Sequence, residues 1–299
     1  MNECVNKCEV CPRKCGVTRG ELSGSGFCKM GTKLKVARVG LHYWEEPCIS
    51  GTNGSGTIFF SGCSLGCVYC QNFEISSGGK GEFVTPRQLA DNFKILEEKG
   101  ANNINLVTAS HYIDGVISAL DIYKPSIPVV YNCGGYESVG SIKRLDGYVD
   151  IFLPDFKYAD DKLAVKYSKA PDYTQTTLNA IKQMLSQVGN IKIDDNGIMH
   201  SGVLIRHLVL PNHTKNSIAV LDLIKDNFGT SVPVSLMGQY FPTDNILKNA
   251  DKYDKLTRKL TKREYNKVAD YMVDLGLDGF YQGLDSADKS YVPDWDFKP

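Results

Sequence analysis

Six short apolar runs recur along this chain, and segments with helical character lie between them. The runs are bounded by Gly, Pro or Asn and are rich in β-branched and aromatic residues, which is typical of strands buried on both faces of a sheet. Strands that alternate with helices pair in parallel through right-handed crossovers. Six strands are too few to close an eight-stranded barrel, so we predict an α/β fold with a partial (β/α)6 barrel. The predicted strands are GTIFFSG (56–62), NINLVTA (103–109), IPVVYNC (127–133), DIFLPDF (150–156), VLIRHLVLP (203–211) and VPVSLMG (232–238).

The segment TPRQLADNFKILEEKG shows how the predicted helices begin and end. Thr85 is a suitable N-cap, Pro86 suits the first helical position, and Gly100 ends the helix. DYTQTTLNAIKQMLSQVG and TKREYNKVADYMVDLG follow the same scheme, and LDGFYQG is compatible with an extra edge strand.

Composition and charge narrow the class of protein. The chain has 299 residues, is 42% hydrophobic and has a net charge of zero without any long run of Lys or Arg. Such a chain can bury a full core, and nothing in its charge favours a nucleic-acid or membrane surface. It has no apolar signal core at its start and no apolar stretch near the roughly 18 residues of a membrane span. We therefore expect a cytoplasmic protein, in which clustered cysteines bind metal rather than form disulfides.

The cysteines near the N-terminus form the first of two clusters. Cys8, Cys11, Cys15 and Cys28 supply four thiols, enough for a closed structural zinc site or for a second iron-sulfur cluster. A structural metal is the first interpretation and a second cluster the alternative, and Cys4 can replace one of the four. We predict that residues 1–50 form a Cys-rich metal-binding extension and lead-in. Residues 51–299 then form the partial barrel, with a C-terminal tail that covers its open side.

The second cluster is the triplet in FFSGCSLGCVYCQN (59–72), directly after the first predicted strand. Cys63, Cys67 and Cys70 can face one centre, and thiolates select zinc, copper(I) or iron-sulfur clusters. A structural zinc site needs a fourth ligand, and this loop contains none. An iron-sulfur cluster with one iron lacking a protein ligand would offer that iron to a substrate or cofactor. The triplet therefore predicts an open site.

Further polar residues follow the other strands, and the carboxyl ends of parallel strands meet at one mouth. For Asp155 and Arg206, the alternative to a role in the site is a structural ion pair. Likewise, lone histidines such as His111 and His207 are more often hydrogen-bonded structural residues than bases. The residues selected by this rule are Cys63, Thr108, Ser110, His111, Asn132, Asp155, Lys157, Arg206, His207 and Gln239.

The segment HYWEEP places His42 close to the adjacent carboxylates Glu45 and Glu46. Such a pair can recognise a cationic or amine-bearing substrate, or the N–H edge of a base. The alternative is a surface turn around a buried Trp44.

The motif CSLGCVYC resembles the CxxxCxΦC signature of the radical S-adenosylmethionine (SAM) superfamily, with Tyr69 as the aromatic residue before the last cysteine. The partial barrel resembles that superfamily as well. More narrowly, the chain resembles the PflX group, relatives of pyruvate formate-lyase activating enzyme. The segments that carry this resemblance are CEVCPRKCGVTRGELSGSGFC, HYWEEPCISGTNGSGTIFFSGCSLGCVYCQNFEIS, VTASHY, YNCGGYE and SLMGQY.

This resemblance implies a [4Fe-4S] cluster at the triplet, whose open iron is chelated by SAM. One electron then cleaves the sulfonium bond, and the 5'-deoxyadenosyl radical abstracts a substrate hydrogen. Tyr69, Thr108, Ser110, Asn132, Asp155, Lys157, Arg206 and Gln239 are the implied SAM-contacting candidates. VTAS stands where many members have a Gly-Gly-Glu turn, and YNCGG stands where the activating enzyme has Asp-Thr-Asn-Gly. Gln239 contacts adenine or substrate, or satisfies backbone groups.

Three functions are compatible with these sequence features. The first is a radical SAM enzyme that acts on a small molecule, for which the resemblance offers queuine lyase, an enzyme that breaks a carbon–nitrogen bond in queuine and releases its deazaguanine part. The second is an activase that places a glycyl radical on a partner protein. The third is a metal-bound scaffold without catalysis. We expect a small-molecule substrate and an external electron donor, with no nucleic-acid or membrane partner.

Overall fold

The computed structural model describes residues 7–288 and residue 295. Cys4 and residues 289–294 and 296–299 of the predicted covering tail lie outside the described residues. Among the residues that are described, no helix is both long and apolar enough to cross a membrane.

The strands form one sheet of eight and one of three. In the larger sheet the order is β3-β1-β2-β4-β5-β6-β8-β7, and the smaller sheet has the order β11-β10-β9. The strands are β1 (Leu34–His42), β2 (Ser55–Phe60), β3 (Glu82–Val84), β4 (Ile104–Val107), β5 (Val129–Cys133), β6 (Ile151–Pro154), β7 (Lys192–Ile193), β8 (Met199–Val203), β9 (Ile205–Leu208), β10 (Val234–Met237) and β11 (Gly279–Tyr281).

Helices connect the parallel strands and cover the sheet. Helix α3 confirms its predicted start, because Thr85 and Gln88 form a reciprocal capping box and Pro86 is the first helical residue. The helices are α1 (Pro47–Ser50), α2 (Phe73–Ser76), α3 (Pro86–Glu98), α4 (Ile113–Ile122), α5 (Val139–Arg144), α6 (Asp161–Ser168), α7 (Tyr173–Val188), α8 (Thr214–Phe228), α9 (Asp244–Lys248) and α10 (Lys262–Asp274), with short 3₁₀ turns at Ser110–Tyr112, Asp254–Leu256 and Leu284–Ser286.

The α/β class and the parallel arrangement are confirmed. Strands β2, β4, β5, β6 and β8 pair in parallel in one sheet, and β9, β10 and β11 pair in parallel in the other. Every residue of β2, β4, β5, β6 and β10 is buried, as their continuous apolar runs predict. The run LDGFYQG supplies the edge strand β11.

One predicted strand is divided in two. The run VLIRHLVLP contains the end of β8 and all of β9, with Leu204 between them. Strand β8 pairs with β6, whereas β9 pairs with β10. A bridge between Asp155 and Arg206 joins the two sheets, and the N–H of Phe156 donates to the carbonyl O of Arg206 at 2.8 Å. The barrel wall therefore continues across the division.

The lead-in is part of the sheet. Strand β1 pairs antiparallel with both β2 and β3. The Cys-rich segment before it packs, through two arginines, against the loops that follow β2 and β4 and against the last residue of α6. The Arg13 guanidinium donates to the carbonyl O of Ser64 at 2.7 Å and of Ser168 at 2.9 Å, and Arg19 donates to that of His111 at 2.8 Å.

Candidate active site

A cavity of about 200 Å³ lies at the carboxyl ends of the parallel strands. Two neighbouring cavities of about 560 Å³ and 310 Å³ share Arg206 and Gln239 with it. Residues from six different strand ends therefore face one connected space. The predicted residues that line the first cavity are Cys63, Cys67, Tyr69, Cys70, Thr108, Asn132, Asp155, Lys157, Arg206 and Gln239.

Each sulfur of the triplet accepts a hydrogen bond. The N–H of Leu65 donates to Cys63 Sγ at 3.3 Å, and Ser76 Oγ donates to Cys70 Sγ at 3.3 Å. The shortest of these bonds runs from Ser168 Oγ to Cys67 Sγ, at 2.9 Å. Donors directed at sulfur stabilise the thiolate that a metal requires.

Burial opposes charge on these sulfurs. It raises the pKa of Cys63 to about 11, and it also raises the pKa values of the Cys67 and Cys70 thiols. Since metal ligation deprotonates a thiol outright, a bound metal group would hold these cysteines as thiolates at neutral pH.

The spacing of the donors bears on which metal group fits. In the part of the chain that the structure describes, no three His, Cys, Asp or Glu side chains converge on one metal ion. A four-iron cluster places each thiolate on a separate iron, so its ligands stand further apart than those of a single ion. Three cysteines at one end of a polar cavity, of which Cys67 is buried and Cys63 and Cys70 are half-buried, would therefore fit a [4Fe-4S] cluster.

Tyr69 connects the cysteine loop to α6. Its hydroxyl shares a hydrogen bond with the Tyr158 hydroxyl at 2.6 Å, and Tyr158 shares another with Ser168 Oγ at 2.7 Å. Because Ser168 donates to Cys67 Sγ, the chain of hydroxyls ends at a predicted iron ligand.

Arg206 organises the polar side of the cavity. Its Nε donates to Asp155 Oδ1 at 2.9 Å, one Nη donates to Glu45 Oε2 at 3.2 Å, and the other Nη donates to Asn132 Oδ1 at 2.6 Å. Lys157 Nζ forms an ion pair with the other oxygen of Asp155. A planar guanidinium holds its partners in one fixed plane, whereas the three donors of an ammonium group rotate on a flexible stem.

The charges of this network are held apart from solvent. Burial alone would raise the pKa of Asp155, but Arg206 and Lys157 outweigh it and hold that pKa below its usual range. For Glu45, burial dominates over the attraction of Arg206 and raises the pKa of the carboxyl. Asp155 is therefore ionised at neutral pH, whereas Glu45 is the carboxyl that more readily accepts a proton.

Thr108 and Ser110 separate at the end of β4. Thr108 lines the cavity with a φ of +62°, a left-handed conformation that is costly for a β-branched residue. This conformation explains why a glycine would suit the same place in a Gly-Gly-Glu turn. Ser110 instead is buried outside the three cavities and donates to Glu137 Oε1 at 2.6 Å.

The histidines occupy different places. His42 lines the cavity of about 560 Å³ and packs edge-on against the ring of Phe59. His111 Nε2 donates to the carbonyl O of Ser61 at 2.7 Å, and His207 Nδ1 donates to that of Phe156 at 2.6 Å. Burial lowers the pKa of each to about 4, so both are neutral at pH 7. Their contacts match the structural alternative.

In the HYWEEP segment the tryptophan is exposed and a glutamate is buried, which is the opposite of a surface turn around a buried Trp44. Trp44 is 62% exposed, whereas Glu46 is only 8% exposed and lines the cavity of about 310 Å³. The expectation of a surface turn around a buried Trp44 is therefore wrong. The reason is that Glu45 turns inward to Arg206, which leaves the indole at the rim.

Several contributing residues carry no recognisable signal in the sequence. Ser168 donates to Cys67 Sγ although it lies in a helix about a hundred residues further along the sequence. Asn105 lies within β4 and donates to Glu45 Oε1 at 3.3 Å. Glu137 accepts from Ser110 and from the Tyr131 hydroxyl below the cavity. Only the three-dimensional arrangement reveals these contacts.

The N-terminal cysteines lie near one another without converging on one ion. The N–H of Phe27 donates to Cys15 Sγ at 3.4 Å, and the pKa of Cys11 rises to about 12, mainly through burial. Charges on Cys15 and Cys28 act on Cys11, which indicates their proximity.

Known proteins resemble this chain in sequence and in fold. The sequence model of the radical SAM superfamily matches residues 57–224, from β2 through the cysteine loop to α8. The uncharacterized protein MJ0674 of Methanocaldococcus jannaschii is 30% identical over 286 residues, which cover 92% of this chain and 76% of that protein. A radical SAM methyltransferase from Sphaerobacter thermophilus has a similar fold, with a TM-score of 0.52 and 14% sequence identity over 78% of this chain and 69% of that one.

Proposed function

The chain belongs to the radical SAM superfamily, and from this premise we propose that it abstracts a hydrogen from a small-molecule substrate at the connected cavities. Cys63, Cys67 and Cys70 would hold the [4Fe-4S] cluster that this superfamily uses with SAM. When bound, that cluster supplies one electron for cleavage of SAM, which provides the 5'-deoxyadenosyl radical.

The chain's own residues would bind and orient SAM. Lys157 and Arg206 present positive charge to the cavity and suit its carboxylate, while Asp155 holds both cations in place. Thr108 and Asn132 line the same cavity and suit its amino group and ribose. These side chains are buried or half-buried, which would limit the access of water to a reactive radical.

The observation that carries the small-molecule proposal is the buried carboxyl of Glu46. Its Oε2 has no hydrogen-bond partner among the described residues, and Glu46 lines a cavity of about 310 Å³ together with Trp44, Phe280 and Tyr281. An unpartnered buried acceptor costs free energy unless a ligand satisfies it. A planar group with N–H donors would fit between the aromatic walls.

Queuine is our candidate substrate, because it carries a secondary amine and a deazaguanine base with an N–H edge. Cleavage of its carbon–nitrogen bond would make the protein a lyase. The packing of Trp295 against Phe59, with ring centroids 5.3 Å apart, supports a covered cavity rather than one open to a protein loop.

The test uses anaerobically reconstituted protein with SAM, dithionite and deuterated queuine. We expect deuterium in 5'-deoxyadenosine and release of the deazaguanine base. Glu46→Gln should weaken queuine binding about tenfold, whereas the exposed Glu74→Gln should not. Formation of 5'-deoxyadenosine with unchanged queuine would contradict the lyase, and a glycyl radical signal on an added glycyl-radical enzyme would support the activase instead.

We also propose that Cys8, Cys11, Cys15 and Cys28 bind a second metal, zinc or an iron-sulfur cluster. Their proximity supports this, and metal binding would draw them together. Metal analysis of Cys11→Ser should show loss of this metal alone. An unchanged zinc and iron content would contradict the proposal.

A further inference from the structure

Three glutamines from separate parts of the chain form a hydrogen-bonded series beside the cavities. Gln71 directly follows the last cysteine of the triplet, Gln239 lies shortly after β10, and Gln282 directly follows β11. Gln71 Nε2 donates to the main-chain carbonyl O of Gln239 at 2.9 Å, and Gln282 Nε2 donates to Gln239 Oε1 at 3.0 Å. Gln239 lines all three cavities of the site, so it is held from two sides in the wall that they share.

The main chain fixes the direction of the Gln239 amide. The oxygen and nitrogen of a side-chain amide are nearly equal in size, so their positions follow from the hydrogen bonds around them. The N–H of Gly238 can only donate, and it donates to Gln282 Oε1 at 3.2 Å. Gln282 must therefore turn its Nε2 toward Gln239, whose Oε1 accepts. Among the described residues, Gln239 Nε2 then has a single partner, the weakly accepting sulfur of Met237 at 3.8 Å, so its N–H groups are available to a ligand.

An acceptor lies in the same cavity as this donor. Glu46 is 8% exposed and lines the cavity of about 310 Å³ together with Gln239 and Gln282, and its Oε2 has no hydrogen-bond partner in the described part of the chain. Phe280 and Tyr281, on the strand that leads to Gln282, supply aromatic surface. Burial raises the pKa of the Glu46 carboxyl, and N–H groups of a ligand would favour its charged form. The cavity therefore offers a planar ligand one fixed donor and one acceptor.

We propose that Gln239 and Glu46 recognise a lactam edge of the substrate, a ring carbonyl beside a ring N–H, and that Gln282 is the positioning residue that sets this preference. The inference rests on the proposed small-molecule function. The ring carbonyl accepts from Gln239 Nε2, and the ring N–H donates to Glu46 Oε2. An amino group in place of the carbonyl would set two N–H donors against each other and leave both unpaired, which a buried site penalises strongly. The deazaguanine part of queuine carries such a lactam edge.

The experiment measures binding of two rings that have no bond to cleave, 7-deazaguanine and 2,6-diamino-7-deazapurine, to the anaerobically reconstituted full chain with SAM. The probes differ at the lactam, because the second has an amino group in place of the carbonyl and no ring N–H beside it. By isothermal titration calorimetry, the unsubstituted chain should bind 7-deazaguanine at least about tenfold more tightly than the diamino probe. Gln282→Leu frees the Gln239 amide to turn and should bring the two affinities to within about threefold of each other.

Gln282→Glu separates positioning from a merely structural role. It keeps an acceptor for the N–H of Gly238 but replaces the donor to Gln239 with a carboxylate oxygen. Gln239 must then turn its Nε2 toward that oxygen and present Oε1 to the cavity, so the affinity ratio should shift toward the diamino probe by at least about tenfold. The diamino probe should also bind more tightly than it does to the unsubstituted chain, a gain that damage to the fold cannot produce.

Gln175→Glu is the matched control, because Gln175 also donates to a side-chain amide, that of Asn179 at 3.0 Å, yet is exposed on α7 and lines none of the three cavities. It should leave both affinities unchanged. Equal affinities of the unsubstituted chain for the two probes, or no binding of either, would overturn the proposal. An altered affinity for SAM in Gln282→Glu with the probe ratio unchanged would overturn it too, and would assign the amides to the adenine of SAM. Formation of 5'-deoxyadenosine with dithionite tests the radical SAM function separately.

Discussion

The buried carboxyl of Glu137 should make the stability of this protein depend on pH in an unusual direction. Burial raises the pKa of Glu137 to about 7, against an ordinary value of 4.5. Ser110 Oγ donates to one carboxyl oxygen at 2.6 Å and the Tyr131 hydroxyl to the other at 3.3 Å, and these bonds reduce the effect of burial without cancelling it. A tenfold preference for the protonated form is worth about 1.4 kcal/mol, so the folded state favours it by roughly 3 kcal/mol.

The sign follows from proton binding in the two states. Below about pH 4.5 the carboxyl is protonated in both the folded and the unfolded protein. Between about pH 4.5 and pH 7 only the folded protein keeps the proton, so the free energy of unfolding falls as pH rises through this window. Above pH 7 the contribution is fully lost.

Glu137→Gln removes the titration and keeps an acceptor for Ser110. Anaerobic urea unfolding followed by circular dichroism at about pH 5 and about pH 8 measures the effect. The unsubstituted protein should lose roughly 2 to 3 kcal/mol more than the variant between these values. Glu97→Gln is the control, because hydrogen bonds from Ser126 and Tyr123 outweigh its slight burial and lower the pKa of Glu97, which then titrates below this range. The same pH dependence in Glu137→Gln and the unsubstituted protein would refute the reasoning.

Three further predictions concern the site. Arg206→Met should lower the free energy of unfolding by about 3 to 5 kcal/mol, measured by urea unfolding, because it leaves Asp155 with only Lys157 as a buried counterion; a loss below about 1 kcal/mol would contradict this. Ser168→Ala removes the donor to Cys67 Sγ and should lower the reduction potential of the reconstituted cluster by roughly 40 mV in a redox titration monitored by electron paramagnetic resonance, and an unchanged potential would count against that contact. Arg13→Met frees the carbonyls that anchor the cysteine loop and should release iron to a chelator about tenfold faster, whereas release at the unsubstituted rate would show that Arg13 does not stabilise the loop.

The pattern of the sequence predicts the sheet well because buried parallel strands have continuous apolar runs. Five of the six predicted strands are confirmed as single strands, and the capping residues of α3 are where Thr85 and Pro86 predict them. The division of VLIRHLVLP at Leu204 has no such signal, because apolar residues lie on both sides of Leu204 and no Gly, Pro or Asn separates them. Which strand each half pairs with depends on the curvature of the whole sheet.

The site was predictable where residues follow strands and less so elsewhere. Thr108, Asn132 and Asp155 come together because parallel strands end at one edge. Ser110 lies only two residues beyond Thr108, yet the left-handed turn directs it to Glu137 instead of the cavity. The inward placement of Glu46 could not be read from HYWEEP, since adjacent carboxylates usually remain in solvent.

The central claim is that three cysteines leave one position for SAM, and formation of 5'-deoxyadenosine tests it most directly. Anaerobically reconstituted protein should form 5'-deoxyadenosine from SAM when dithionite is added, as measured by chromatography. Cys67→Ala should abolish this product, and Cys11→Ser should retain it, because Cys11 lies in the N-terminal extension rather than in the cysteine loop. Protein that carries a full complement of iron and sulfide at the triplet but forms no 5'-deoxyadenosine would contradict the account.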